Sequence, residues 1–185
     1  MTRRAPALLA LALACAPAAA AQWQLVPQQS RLGFSSEWNG RTIEGRFERF
    51  QARIVFDPAR LSEAMADVTI DLASATTGDR TVNGALPGND WFAVSASPTA
   101  RFTTSAIRQT GPGRYVAEGT LTLRGRSVPV ELPFTLAIAG DTAVMQGQAR
   151  LDRRAFGIGM ESDAPGRWVA FPVPVTVRLT ARRAG

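Results

Sequence analysis

The stretch from Ser30 to Asp57, SRLGFSSEWNGRTIEGRFERFQARIVFD, constrains the fold more than any other part of the chain. Leu32, Phe34, Ser36 and Trp38 occupy alternate positions, and so do Phe50, Ala52, Ile54 and Phe56. Successive side chains of a β-strand point to opposite faces, so each set falls on one face of a strand. The pattern predicts strands over Ser30–Trp38 and Gly45–Phe56 with a Gly-containing turn between them. One face is rich in large aromatics and the other in Arg and Glu. If such strands close into a barrel, the aromatics line an apolar interior. That interior is either a packed core or a pocket for an apolar ligand, and the residues alone leave the choice open.

The rest of the chain extends the pattern. Trp23–Val26 reads as a short strand ended by Pro27, and Ala59–Glu63 as a single helical turn after Asp57-Pro58. Val68, Ile70 and Leu72 share a face. Ser74–Pro98 breaks the alternation. There Asp79 is placed to cap a short helix that stops before Pro87-Gly88, and Asn89 to cap a second turn carrying Trp91 and Phe92. Strands resume at Ala100–Ile107 and Tyr115–Leu123. Arg124-Gly125 and Gly140-Asp141 are hairpin signals around Ser127–Ile138, where Val128, Val130, Leu132, Phe134, Leu136 and Ile138 form an unbroken row. In Thr142–Leu151 the small Gly147 and Ala149 leave room for a curved wall or a cavity. Arg153–Arg167 is a Gly-rich excursion. The last strand, Val169–Leu179, places Val169, Phe171, Val173, Val175, Val177 and Leu179 inward. Pro172 and Pro174 lack the N–H a ladder needs, which predicts a bulge or incomplete closure there. The sum is an all-β protein of about eight antiparallel strands, a barrel or sandwich, with a helical excursion around residues 77–95.

Composition removes most chemistry. There is no His, and all 21 basic residues are Arg. No Ser–His or Cys–His nucleophile pair can form, and no Schiff-base lysine exists. Zinc, copper and haem lose their commonest ligands. The single cysteine, Cys15, rules out an internal disulfide framework. The formal charge of +6 comes from Arg dispersed among Asp and Glu, without the basic stripe and exposed stacking aromatics of a nucleic-acid surface. Paired carboxylates remain as the enzymatic option, Glu37 with Glu44 or Asp79 with Asp90, and all four also read as surface or turn residues.

Residues 1–21 have the layout of a secretory signal: Arg3 and Arg4, an apolar run from Ala5 to Ala14, and small residues Ala19-Ala20-Ala21 before Gln22. The apolar run is too short to span a bilayer. A periplasmic location is expected, with a domain over 22–185. The residues before Cys15 loosely resemble a lipoprotein cleavage site, with Ala12 where Leu is usual. A lipid on Cys15 would tether the domain to a membrane.

Several motifs, in order, resemble the YceI family of exported, lipocalin-like lipid-binding proteins. They are Ser30-x-Leu32-x-Phe34, Gly45-x-Phe47-x-x-Phe50-x-Ala52-x-Ile54-x-Phe56-Asp57, Val68-x-Ile70, Ser74-Ala75-Thr76-Thr77, Leu86-Pro87-Gly88-x-Asp90-Trp91-Phe92, Pro98-x-Ala100-x-Phe102 and Gly119-x-Leu121-Thr122-Leu123-x-Gly125. The resemblance implies an eight-stranded antiparallel barrel around a long apolar tunnel that holds a polyisoprenoid chain, an isoprenoid quinone or a similar amphiphile. Many members carry a His where this chain has Trp38, which offers one N–H and a flat face instead.

On that reading the tunnel is lined by Phe34, Trp38, Phe47, Phe50, Ile54, Phe56, Val68, Ile70, Leu86, Trp91, Phe92, Phe102, Leu121, Phe134, Met145, Phe156 and Met160. Arg80, Asn89 and Asp90 are the candidates for contact with a head group. Trp91 and Phe92 serve as a lid or as a staple of the helix onto the barrel. Phe156–Met160 belongs to the tunnel mouth or packs under the barrel end. No chemistry on the ligand, no metal and no cofactor are expected, the isoprenoid lipid or quinone being cargo. Contact with a membrane or a membrane redox protein is expected to be transient. The alternatives are an interaction module at the barrel edge near Pro172 and Pro174, and a stress-related exported protein whose core is filled.

Overall fold

The computed structural model describes residues 20–184, so the signal-like segment up to residue 19, with Cys15, lies outside the described residues. Eleven strands form one sheet: β1 (Gln22–Leu25), β2 (Arg31–Trp38), β3 (Arg41–Phe47), β4 (Phe50–Val55), β5 (Met65–Asp71), β6 (Ala75–Thr77), β7 (Thr99–Gly111), β8 (Arg114–Leu123), β9 (Arg126–Ala139), β10 (Thr142–Asp152) and β11 (Pro172–Arg183). Three walls of the barrel are strands broken in two. A 3₁₀ turn at Pro27–Gln29 separates β1 from β2, Glu48-Arg49 separates β3 from β4, and a 3₁₀ turn at Leu72–Ser74 separates β5 from β6. Counted as walls, there are eight, all antiparallel, and β11 closes the barrel by pairing with both β1 and β2. Closure leaves no free edge along most of the sheet.

Side-chain hydroxyls repair the breaks. The Ser30 hydroxyl donates to the Val26 carbonyl at 2.9 Å and accepts from the Thr180 N–H at 3.1 Å, stitching the first break to β11. Buried Ser74 joins the other two, accepting from the Arg49 N–H at 3.0 Å and donating to the Asp71 carbonyl at 2.6 Å. The Glu48-Arg49 break shifts the phase of its wall. Phe47 and Phe50 both point inward although they are three apart, and the second strand of the opening hairpin starts at Arg41 rather than Gly45.

The tight turns follow their residues. Asn39-Gly40 and Arg124-Gly125 take positive φ at both positions (49° and 74°, 52° and 71°), the geometry whose twist matches that of flanking strands. Asp79 caps α1 (Arg80–Ala85), its carboxylate accepting from the N–H groups of Thr81 and Val82. Asn89 caps no second helix, because residues 87–97 run as turns.

Pro172 and Pro174 sit in a bulge. β2 and β11 pair from Arg31↔Arg178 to Phe34↔Val175, then meet again only at a Trp38↔Val169 bridge. β2 spends four residue steps between those contacts and β11 six, so the extra length of β11 lies where proline has no N–H to give. The ladder from β11 to β10 continues through both prolines.

The core has two zones along the barrel axis. At the α1 end, Leu32, Ile70, Leu72, Leu86, Phe92, Leu121, Phe156 and Ile158 pack together. At the far end are Trp23, Phe56, Ile107, Tyr115, Phe134, Ala143 and Ala181. Tyr115 stands edge-on to Phe56 with centroids 5.3 Å apart and stacks on Phe134 at 5.4 Å, while the Trp23 indole N–H donates to the Phe56 carbonyl at 2.9 Å. Aromatic contacts of this kind close the far end tightly.

Candidate functional site

The inward rows do not meet in the middle. They enclose a chamber of about 300 Å³ that touches both core zones, from Leu86, Phe92 and Ile158 at one end to Trp23, Phe56 and Ala181 at the other. Its walls are almost wholly apolar. Among the described residues, besides the Trp23 and Trp91 indoles, the only polar side chains on its lining are Ser36, Thr104 and Arg153. All of the expected tunnel residues are on this surface except Trp38 and Met160. Trp38 ends β2 at the hairpin opposite Arg41 and bridges to Val169, clear of the chamber. Met160 lies in the excursion with its sulfur 4.0 Å from an Arg153 nitrogen. Phe171 is also absent from the inward row, because Arg153 and Arg154 stack over its ring at 5.1 and 4.2 Å. Gly147 provides no spare space. A Cβ there would meet the Pro133 carbonyl oxygen at 3.0 Å and Leu132 at 3.1 Å, so the glycine serves close approach of β9.

The three head-group candidates stand apart from the chamber. Arg80 and Asn89 are exposed. Asp90 is a loop staple that accepts from the N–H groups of Glu161 and Ser162, both at 2.9 Å, and from the Ser162 hydroxyl at 2.5 Å. Desolvation pushes its carboxyl up, but the Ser162 hydroxyl, those two N–H groups and the nearby Arg124 charge outweigh this and hold it below the ordinary value. Glu37, Glu44 and Asp79 are equally remote from the lining, so no carboxylate pair faces it. Among the described residues no group of three or more His, Cys, Asp or Glu side chains could hold a metal ion.

The α1 end is closed by two excursions bound to each other. One is the α1 loop with Leu86, Trp91 and Phe92. The other runs from Arg153 to Val169 and contributes Phe156 and Ile158. Arg124, in the β8–β9 turn, donates to the Asn89 carbonyl at 2.6 Å and to the Phe156 and Gly157 carbonyls. The Gly159 N–H donates to the Asp90 carbonyl at 2.6 Å.

Sequence reasoning missed what holds the second excursion. Arg153 and Asp163 form an ion pair at 3.0 Å with both side chains 1% exposed. The Arg153 guanidinium also donates to the carbonyls of Ile158 (2.7 Å), Asp163 (2.9 Å) and Val169 (2.9 Å). The Asp163 carboxylate accepts from the N–H groups of Arg167 (2.7 Å), Trp168 (3.2 Å) and Val169 (2.8 Å). Burial pushes the Asp163 carboxyl up, and the N–H groups of Val169, Arg167 and Trp168 with the Arg153 charge more than offset it, so its pKa is lowered. The available signal was Asp163-Ala-Pro-Gly166, a turn sequence whose Asp is suited to accept N–H groups further on.

A closed antiparallel barrel of eight walls around an apolar chamber is an architecture of the lipocalin-like kind. The family follows directly. The YceI-like domain model matches residues 23–181, and the chain belongs to that family. A UPF0312 protein of Photorhabdus laumondii is 32% identical over 126 residues, covering 66% of this chain and 65% of that protein. A Pseudomonas aeruginosa UPF0312 protein is 31% identical over 125 residues, covering 64% and 65%. The chain thus spans about 65% of the length of these curated relatives. Among solved structures, Burkholderia cenocepacia BcnA superposes with TM-score 0.81 at 33% identity, over 84% of this chain and 98% of that one. A polyisoprenoid-binding domain from Saccharophagus degradans shares the fold, with TM-score 0.70 at 17% identity over 88% and 98%.

Proposed function

We propose that the protein is an exported carrier that sequesters one long apolar amphiphile, polyisoprenoid in class, and performs no chemistry on it. The observation that carries this reading is the chamber itself: inside the barrel, apolar along its length, and, among the described residues, without a carboxylate or an unspent cation on its wall. The polyisoprenoid-binding domain of Saccharophagus degradans, of like fold, supports the ligand class. The signal-like N-terminus supports export.

Dimensions set what fits. The chamber's 300 Å³ is roughly twice the ~150 Å³ of an engineered apolar cavity that admits benzene, so on the order of a dozen carbons enter without rearrangement. Its lining row on β11 runs from Val173 to Ala181. At ~3.3 Å per residue and a tilt of ~40°, that row spans roughly 20 Å along the axis. An extended chain advances roughly 1.2 Å per bond, judging by ~3.6 Å per three-bond residue, so about sixteen bonds fit. At five carbons and four chain bonds per isoprene unit, the volume admits about two to three units and the length about four, so about two to three units satisfy both limits. Each buried methylene contributes about 0.8 kcal/mol before ordering costs, so a few units bind without a strong polar anchor.

The test is extraction of protein purified from its own compartment with organic solvent, followed by mass spectrometry. A stoichiometric isoprenoid or other long-chain amphiphile is expected. A clean extract, together with no binding of isoprenoid quinones or polyprenyl lipids added back, would overturn the carrier reading and favour a plain core.

A further inference from the structure

Among the described residues, one buried side-chain oxygen has no hydrogen-bond partner: Ser36 Oγ. The residue belongs to the chamber lining, its Oγ covered. Apart from the Trp91 indole N–H, which can donate but not accept, the other polar groups of that lining are spent. The Thr104 hydroxyl accepts from the Ala66 N–H at 2.8 Å and faces the Ala66 carbonyl at 3.3 Å. The Trp23 N–H is held by Phe56. Arg153 is committed to Asp163 and to backbone carbonyls. An orphaned hydroxyl in an apolar enclosure is destabilising, and an apolar residue of similar size at that position avoids the penalty.

Its setting suits a ligand's polar end. Ser36 follows Phe34 on the inward face of β2, and Phe34 packs with Phe47 and Phe92 at centroid distances of 5.3 and 6.4 Å. This is the α1 end, away from the aromatic plug. Beside it the β2–β11 ladder lapses and β11 bulges at Pro172 and Pro174, so Ser36 lies next to a gap in the wall's bonding.

We propose that Ser36 is the polar anchor of the chamber's ligand, and that the ligand presents to it an uncharged oxygen: a carbonyl, hydroxyl or ether. This deepens the carrier reading and rests on it. A hydroxyl both donates and accepts, so any of these groups satisfies it. A phosphate or carboxylate at the same place meets no free positive charge, because the one cation on the lining is already neutralised by Asp163.

The experiment compares three tail-matched probes on the delipidated protein by calorimetry: a benzoquinone with three isoprene units, the corresponding hydrocarbon, and the corresponding prenyl phosphate. The wild type is expected to bind the quinone about five- to tenfold more tightly than the hydrocarbon, the scale of one neutral hydrogen bond, and the phosphate most weakly. Ser36→Ala should abolish the quinone's advantage, leave hydrocarbon affinity unchanged and raise the melting temperature of the empty protein. Ser36→Thr, which keeps the hydroxyl, should retain the advantage. Undiminished quinone preference in Ser36→Ala, an equal loss for quinone and hydrocarbon, or phosphate binding as tight as quinone would each overturn the anchor while leaving the carrier intact. Failure of all three probes to bind the wild type would overturn the carrier reading and the anchor with it.

Discussion

Replacing Asp163 by Asn removes one charge and little else in shape, and the structure fixes what should follow. In the wild type the carboxylate accepts from Arg153 and from three backbone N–H groups, all within the second excursion, with the Arg153 and Asp163 side chains shielded from water. Asn keeps one acceptor oxygen but turns an NH₂ group toward donors and leaves the Arg153 charge buried without a counterion. Breaking a buried, hydrogen-bonded pair in this way costs about 3–5 kcal/mol. That is a large share of the roughly 5–15 kcal/mol expected for a domain, yet leaves it foldable. Urea unfolding at pH 7 measures the loss. The Arg153→Met variant should lose a similar amount, and the double variant less than the sum of the two, because each single change strands the other's charge. The pH dependence adds a second check. Asp163 has a lowered pKa when folded, so its stabilisation is complete above the unfolded value of about 3.9 and is lost as pH falls through the folded value. The gap between wild type and Asp163→Asn should therefore narrow below about pH 4. Additive single losses, or a gap under about 1 kcal/mol at pH 7, would refute the argument that this pair holds the excursion.

Affinity for quinones of increasing tail length should rise by about 3 kcal/mol of gross burial per isoprene unit, less ordering costs, and then level off at roughly two to three units, read by titration calorimetry. A rise that continues past six units would mean that the tail lies outside the chamber. Val130→Phe and Val177→Phe, both on the lining, should cut lipid uptake at least tenfold while the melting temperature moves only a few degrees. Unchanged uptake by both would sink the assignment of the chamber as the binding site. Gly147→Leu should instead destabilise by about 1–3 kcal/mol in urea titration, since its side chain must displace the Pro133 carbonyl and Leu132.

The alternating rows made the barrel readable from the sequence, and for a physical reason: a wall with one buried face must repeat every two residues. Val130, Leu132, Phe134, Leu136 and Ile138 line the chamber as their period demands. The reading failed wherever the backbone changed phase. The two-residue break between Phe47 and Phe50 leaves no period-2 trace. The β11 bulge and the loop before it put Phe171 under two guanidinium groups, although Val169 and Val173 on either side line the chamber. Trp38 continues the inward row of Phe34 and Ser36, but the hairpin carries it past the chamber's end. The Arg153–Asp163 pair was illegible for another reason. Any of the chain's many Arg residues could have met Asp163, and only the folded loop selects one. Ser36 was visible as an inward position, but its lack of a partner is a property of the enclosure and not of the strand.

The two ends of the chamber are closed by different forces, and this decides where a ligand can pass. The far end is held by ring packing among Phe56, Tyr115 and Phe134 and by the buried Trp23 hydrogen bond, in strands paired on both sides. Opening it would break sheet ladders along with the core. The α1 end is closed by side chains carried on loops, and those loops are tied to each other by Arg124, Asp90 and the Gly159 N–H rather than by a ladder. Each such bond is worth about 1–2 kcal/mol, so the cap can part without unfolding the barrel. Leu86, Trp91, Phe92, Phe156 and Ile158 form one apolar cluster on the two excursions. If the proposed ligand enters here, its tail would replace their mutual contacts with its own, and Ser36 lies at the same end. On the proposed carrier reading, binding strength would come from the walls and exchange from the cap, so the two properties would respond to separate substitutions.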